Sequence, residues 1–253
     1  MNFEHMTELS VVIPVYNEQD IIPQLFDRLQ KAVETITANY ELVFVNDGSK
    51  DATLFKLIEL SKIDNRVKFI SFSRNFGHQI AVTAGLEHSV GKAVVIIDGD
   101  LQDPPELIPE MYQKYNEGNE VVYAKRIKRK GETFFKRFTA KLFYRILKRI
   151  TSVEIPTDVG DFRLIDHKIV NYLKMMPEQN KFLRGQIAWL GFRQTFVEYE
   201  RDSRTTGKTG YPLGKMIKFA LDGITGFSNT PLKLVTNLGL LFSFVAFIVI
   251  LYA

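Results

Sequence analysis

The first half of the chain alternates two kinds of hydrophobic pattern. Nearly continuous apolar runs occur at 9–17 (LSVVIPVYN), 40–49 (YELVFVNDGS), 66–73 (RVKFISFS) and 92–100 (KAVVIIDGD), and polar or turn residues close each of them. Between the runs, apolar positions fall at helical spacing. In 19–37 these are Ile22, Leu25, Phe26, Leu29 and Val33; a shorter stretch carries Leu54, Leu57 and Ile58; a third helix is expected from about 77 to 90. A further helix is expected from 105 to about 115, with Pro105 suited to its first turn, and then a strand at 120–126. Strands alternating with helices predict an α/β fold with a mainly parallel sheet covered on both faces. Ligands of such sheets sit at the carboxyl ends of the strands, near a switch in strand order. The strand-end segments 14–18, 46–49 and 98–103 are therefore expected to converge on one crevice.

Later segments carry a different pattern. In 133–150, Phe135, Phe138, Leu142, Phe143, Ile146 and Ile150 fall on one side of a helix, with Lys136, Arg137, Lys141, Arg145, Lys148 and Arg149 largely on the other. Net charge is only +4, yet 125–149 holds eleven basic residues against the single acid Glu132, so this block calls for an anionic partner. Interleaved phenylalanines favour a bilayer surface over nucleic acid. A second amphipathic stretch lies at 213–228. From Val235 onward the chain carries no charge. Sixteen residues of helix, 238–253, rise roughly 24 Å, and Thr236 and Asn237 bring the helix close to the ~30 Å of a bilayer core. This reads as a transmembrane helix cut short at the end of a chain that continues in nature. The N-terminal ten residues are polar and do not read as a signal peptide. The expected organisation is a catalytic domain at 1–212, a juxtamembrane segment at 213–231 and a span at 232–253. Without cysteine, disulfides, thiolate catalysis and cysteine-ligated metal sites are excluded.

The chemistry concentrates at 98–106, DGDLQDPPE, where an apolar run stops at Asp98, Asp100 and Asp103. Asp103, before two prolines, reads as a turn or cap residue. Asp98 and Asp100 alternate on an extended chain, and Gly99 between them lets the backbone approach a ligand. Two hard oxygen donors suit Mg²⁺ or Mn²⁺, which keep waters and bind through one or two carboxylates plus substrate phosphates. The sequence has no GxGxxG, and the GKT at 207–209 lacks a P-loop's first glycine, since Asp202 stands there. Phosphate binding must then rest on a cation and basic side chains.

Four segments in order, VVIPVYNE (11–18), VNDGSKD (45–51), DGDLQDPPE (98–106) and DVGDFRL (158–164), resemble family 2 glycosyltransferases of the GT-A fold. Among these the chain is most similar to polyprenyl-phosphate glycosyltransferases, such as bactoprenol glucosyltransferases and dolichol-phosphate mannose synthases. The likeness extends through RTTGKTGYPLGKM (204–216) into the membrane segment. It implies a Rossmann-like GT-A domain with basic interface helices and a C-terminal transmembrane helix. It also implies a nucleotide-sugar donor, UDP-glucose first with N-acetylglucosamine and mannose open, and undecaprenyl or another polyprenyl phosphate as acceptor. The setting would be the cytoplasmic face of the inner membrane, with homo-oligomers formed through membrane helices. By the same resemblance Pro14, Tyr16, Asn17, Glu18, Asp47 and Asp98 line the nucleotide-sugar pocket, with Asp47 reading the base. Asp98, Asp100 and Gln102 hold the metal. Arg126 and Arg137 bind the lipid phosphate, and Arg204 and Lys208 belong to a loop over the donor. Asp161, Asp100 and Arg163 are the catalytic candidates. Many relatives have Ser-Lys-Tyr where this chain has Thr209-Gly210-Tyr211, and the QxxRW of processive synthases is absent, which argues for a single transfer.

A lipid phosphate, with a second pKa of about 6, arrives already largely anionic and hardly needs a base. Asp161 is accordingly expected to orient the acceptor or oppose charge at the sugar; its other reading is a cap after Gly160. Two rivals stand beside transfer to a phosphate: transfer to a lipid or polysaccharide hydroxyl, which needs a true base, and a non-catalytic membrane-tethered scaffold. His78 reads as a cap or packing group, and Trp189 as core.

Overall fold

The computed structural model describes residues 7–127, 159–178, 181–200 and 230–252. The chain divides into two units, 1–131 with 156–208 and 132–155 with 209–253. The first unit begins β1 (Leu9–Val15), α1 (Ile22–Glu34), β2 (Tyr40–Asn46), α2 (Thr53–Ile63), β3 (Val67–Ser71), α3 (His78–His88) and β4 (Ala93–Ile96). A 3-10 turn, Pro105–Leu107, leads into α4 (Ile108–Asn116) and β5 (Val121–Arg126). Then come β6 (Val159–Asp166), α5 (His167–Met175), α6 (Leu183–Trp189) and β7 (Gln194–Tyr199).

The strands form one seven-stranded sheet in the order β3-β2-β1-β4-β6-β5-β7. β1 is parallel to β2 and β4, β2 to β3, and β5 to β7; β6 alone runs antiparallel, to both β4 and β5. The expected mainly parallel sheet is present, and the order reverses direction between β1 and β4, where a ligand crevice belongs. Every residue of β1 and β2 is buried, because alternate side chains enter two separate cores. Val11, Ile13 and Val15 pack in one core with Ile22, Leu25, Leu29 and Val33 of α1 and with Ile108 and Met111 of α4. Val12, Val43, Val94 and Ile96 pack in the other with Val82 and Leu86 of α3, Ile169 and Leu173 of α5, and Ile187 of α6.

Two differences from the sequence pattern matter for the site. β4 ends at Ile96, so Asp98 and Asp100 sit beyond it on a looped chain rather than on the strand. Gly99 leaves room for the neighbouring strand rather than for a ligand: a Cβ there would meet Val15 Cγ1 at 2.7 Å and the Pro14 carbonyl oxygen at 3.1 Å.

The second unit contributes α7 (Thr230–Tyr252) to the described residues. Its 23 residues rise about 34 Å, and Val235–Tyr252 is long and apolar enough to cross a membrane, with none of it buried. The expected amphipathic segment 133–150 and most of 213–231 lie outside the described residues.

α3 lies unusually close to the sheet at Gly85, where a Cβ would come within 2.3 Å of Val12 Cγ1 and 3.1 Å of Val45 Cγ2. Both neighbours are β-branched and stiff. Gly85→Ala gains about 1 kcal/mol in helix propensity but forces an overpacked contact costing about 1–3 kcal/mol. Denaturant unfolding of this variant is expected to show a net loss of stability.

Candidate active site

The ends of β1 and β2 are stitched together by hydrogen bonds. Asn17 takes a left-handed backbone, φ 55°, which turns its N–H to Ser49 Oγ at 2.9 Å and its side-chain oxygen to the Lys50 N–H at 2.8 Å. The Glu18 N–H donates to Thr53 Oγ1 and the Gln19 N–H to Asp51 Oδ2. Asp47, at the end of β2, is buried, and its carboxylate accepts the Phe76 N–H at 2.7 Å and the Gly77 N–H at 3.0 Å, fixing the loop before α3. Beside these turns lies a cavity of about 430 Å³ lined by Tyr16, Asn46, Lys50, Ser71, Arg74 and Asn75. Tyr16 is exposed, while Pro14 stays within buried β1. Arg74, Lys50 and Asn75 were not singled out from the sequence, although they lie in or beside strand-end segments of the kind that pointed to the crevice. The Arg74 guanidinium stacks on the Phe76 ring, 3.9 Å from its centroid.

The acidic centre lies beyond β4. Leu101 also has a left-handed backbone, φ 55°; with Asn17 it completes the non-glycine residues of positive φ among those described. Such conformations cost of order 1–3 kcal/mol and persist where surroundings over-determine them, commonly at functional sites. The turn lets Asp100 Oδ1 accept the Gln102 N–H at 3.1 Å. His78, the first residue of α3, places Nε2 between two carboxylates, 3.5 Å from Asp98 Oδ1 and 3.2 Å from Asp161 Oδ2. Asp161, on β6, is held by Arg184 of α6 through two hydrogen bonds, Nε to Oδ1 at 2.7 Å and Nη2 to Oδ2 at 2.9 Å. Arg163 is buried and turned into its own strand, its guanidinium donating to the carbonyl oxygens of Gly160 and Asp161 and lying 3.7 Å from Asp161 Oδ1.

These contacts set the charges. Burial raises the Asp161 carboxyl, but Arg184 and His78 overcome it and hold the group well below the usual carboxylate range. Burial pushes Asp98 up to about 6; His78 works against that shift, and Asp161, Asp103 and Asp100 add to it. Burial disfavours the imidazolium of His78, yet Asp98 and Asp161 outweigh it and raise its pKa to about 9. Asp98 Oδ1 is buried and accepts no hydrogen bond. An acidic cluster with an unmatched, hard carboxylate oxygen fits a divalent cation, with Asp98 and Asp100 as donors and Gln102 close behind. No group of three or more His, Cys, Asp or Glu side chains forms a ready-made metal cage among the described residues.

A third cluster departs from its sequence reading. Asp103 is fully buried, and the Tyr199 hydroxyl at the end of β7 donates to its Oδ1. The Arg126 Nε donates to the same Tyr199 oxygen at 3.1 Å, and its Nη2 lies 3.6 Å from Asp103. Asp103 is thus an anchor for Arg126 rather than a free turn residue. Burial disfavours the charge on Arg126, but Asp103 and Tyr199 outweigh it and raise its pKa. Asp161 is no cap, since both its oxygens face side chains. Trp189, expected in the core, is 59% exposed. The other expected site residues, Arg137, Arg204 and Lys208, lie outside the described residues.

The His78 shift has a measurable consequence. A histidine whose pKa rises from 6.5 to about 9 on folding contributes stability that is complete below about pH 6.5 and is lost as pH rises through about 9. The Asp98 shift acts only below about pH 6, and the depressed Asp161 acts lower still. Because 37% of the His78 side chain is exposed, water screens its pairs and the amplitude is modest. Urea unfolding in metal-free buffer is expected to show stability falling from pH 6.5 to 9, and His78→Gln is expected to flatten that slope.

Comparison with known proteins identifies the family. The pattern of "Glycosyl transferase family 2" matches residues 10–173. The chain is 56% identical over 241 residues to "Uncharacterized glycosyltransferase YkcC" of Bacillus subtilis (strain 168), covering 95% of this chain and 75% of that one. It is 42% identical over 241 residues to the "Prophage bactoprenol glucosyl transferase homolog" of Escherichia coli (strain K12), covering 95% and 79%. Among solved structures, glucosyl-3-phosphoglycerate synthase from Mycobacterium tuberculosis, in complex with Mn²⁺, UDP and glucosyl-3-phosphoglycerate, shares the fold. Its TM-score is 0.52 at 18% identity, over 85% of this chain and 76% of that one. With a family match across most of the sheet, and relatives of this identity spanning most of both chains, the chain belongs to glycosyl transferase family 2 and is a glycosyltransferase.

Proposed function

We propose that this glycosyltransferase moves glucose from UDP-glucose to a polyprenyl phosphate, undecaprenyl phosphate in bacteria, with inversion at the sugar. The transfer takes place at the cytoplasmic face of the membrane. The observation that carries this reading is the state of Asp161. A carboxylate gripped at both oxygens and held far below the usual range is a poor proton acceptor. It suits an acceptor that arrives ionised, as a phosphomonoester does near neutrality, better than a hydroxyl. The 42% identity to a protein named as a bactoprenol glucosyl transferase homolog supports the same acceptor. The apolar Val235–Tyr252 is of a length that fits work at a bilayer.

In this mechanism the cavity beside Tyr16, Lys50 and Arg74 takes the nucleoside. Asp47 shapes that cavity by fixing the loop through Phe76 and Gly77. Asp98 and Asp100, with Gln102, hold Mg²⁺ or Mn²⁺, which when bound neutralises charge on the departing diphosphate. Manganese together with UDP in a related fold is consistent with that donor set. Asp161 stays ionised beside the sugar and opposes the positive charge that develops there. Arg126, braced by Tyr199 and Asp103, presents a planar guanidinium suited to a phosphate. Arg204 and Lys208 are assigned to the donor's cover.

Membranes carrying the protein, incubated with labelled UDP-glucose, UDP-N-acetylglucosamine or GDP-mannose and undecaprenyl phosphate, are expected to yield labelled lipid with UDP-glucose. Label on a hydroxyl lipid, or no labelled lipid, would refute the reading. Asp98→Asn and Asp100→Asn are each expected to lower transfer about 100-fold or more. Both should also abolish the Mn²⁺-dependent part of UDP binding, measured by calorimetry. The pH profile of kcat/KM is expected to rise with the acceptor's own ionisation, at about pH 6. Asp161→Asn is expected to lower kcat without removing that limb.

A further inference from the structure

Arg184 belongs to none of the motifs that pointed to the active centre, and it lies 23 residues beyond its partner Asp161. Its guanidinium meets the carboxylate edge to edge, at 2.7 Å and 2.9 Å, the two-point geometry available to arginine and not to lysine. The support behind it is rigid. Leu183, Gly185, Gln186 and Ile187 of α6 are buried. The Leu183 N–H donates to Gln79 Oε1 at 3.2 Å, tying the start of α6 to the start of α3. Neighbouring residues of α3, His78 and Gln79, thus face neighbouring residues of α6, Leu183 and Arg184, and the four close a ring around Asp161. A carboxylate offers about four lone-pair positions. Arg184 occupies two, and the His78 and Arg163 cations stand close by at 3.2 Å and 3.7 Å, so the directions left open to substrate are few.

We propose that Arg184 is a positioning residue for glycosyl transfer, acting through Asp161: its fork fixes the plane of the carboxylate, so that one oxygen direction faces the reacting sugar. The arginine itself touches no substrate. Without the fork, the carboxylate is free to turn about its last torsion and to pair with His78 instead. The proposal rests on the function inferred above, in which Asp161 works as a fixed anion.

A double-mutant cycle of Arg184→Gln and Asp161→Asn tests it. Arg184→Gln is expected to lower kcat by about 10- to 100-fold, with donor KM and Mn²⁺-dependent UDP affinity within about threefold of wild type. Arg184→Lys, which keeps the charge but only one contact, is expected to fall between wild type and Gln. In the Asp161→Asn background, Arg184→Gln should change kcat by less than about threefold, since the proposed route through Asp161 is already cut. Losses that multiply, a Gln variant with wild-type kcat, or an effect confined to donor KM would overturn the proposal. If Arg184→Gln alone does not fold, as judged by thermal unfolding, the lysine variant and the double variant, which removes both charges together, carry the comparison. Wild-type turnover on a hydroxyl lipid but not on undecaprenyl phosphate would overturn the acceptor reading alone, and the cycle would then be read on that lipid. A wild type inactive on both would overturn both.

Discussion

The structure depends on gathering carboxylates at one end of a hydrophobic sheet without letting them repel the fold apart. Partly or fully removed from water, each ion costs several kcal/mol unless it is matched. Asp103 is matched by Tyr199 and Arg126, and Asp161 by Arg184 and His78. Asp98 shares His78 and keeps one buried oxygen without a hydrogen bond. That oxygen lies just beyond β4, next to the switch in strand order between β1 and β4.

Holding like charges this close requires a scaffold that does not yield. β1 and β2 bury both faces in separate cores, and α3 presses onto them closely enough to demand glycine at position 85. Two left-handed residues, Asn17 and Leu101, turn the chain sharply just past the strand ends. The first turn ties Asn17 to Ser49 and Lys50, and the second lets Asp100 accept the Gln102 N–H. A softer sheet would let Asp98 and Asp161 drift apart, and the site with them.

The parallel half of the sheet was legible because strands buried on both faces leave continuous apolar runs, and the runs at 9–17, 40–49 and 92–100 do so plainly. The acidic pair was legible because charge interrupts such a run. Partnerships between distant segments were not. Asp103 looked like a turn residue because its partner Tyr199 lies 96 positions away. His78 looked like a cap because nothing local reveals that Asp98 and Asp161 flank it. Arg184 sits in KFLRG, which has no distinctive pattern. β6, VGDFRLID, mixes charge into its apolar positions and pairs antiparallel with both neighbours, so neither alternation nor the βαβ rhythm marks it. Trp189 follows buried Ile187 by two positions, about 200° around a helix, and so turns outward although WLGF reads as core.

The shared imidazole of His78 has a wider implication. Its Nε2 makes no hydrogen bond to either carboxylate, yet its positive charge lies near both. It thus serves as a built-in placeholder ion. The acidic basin thus carries a counterweight that the chain itself supplies.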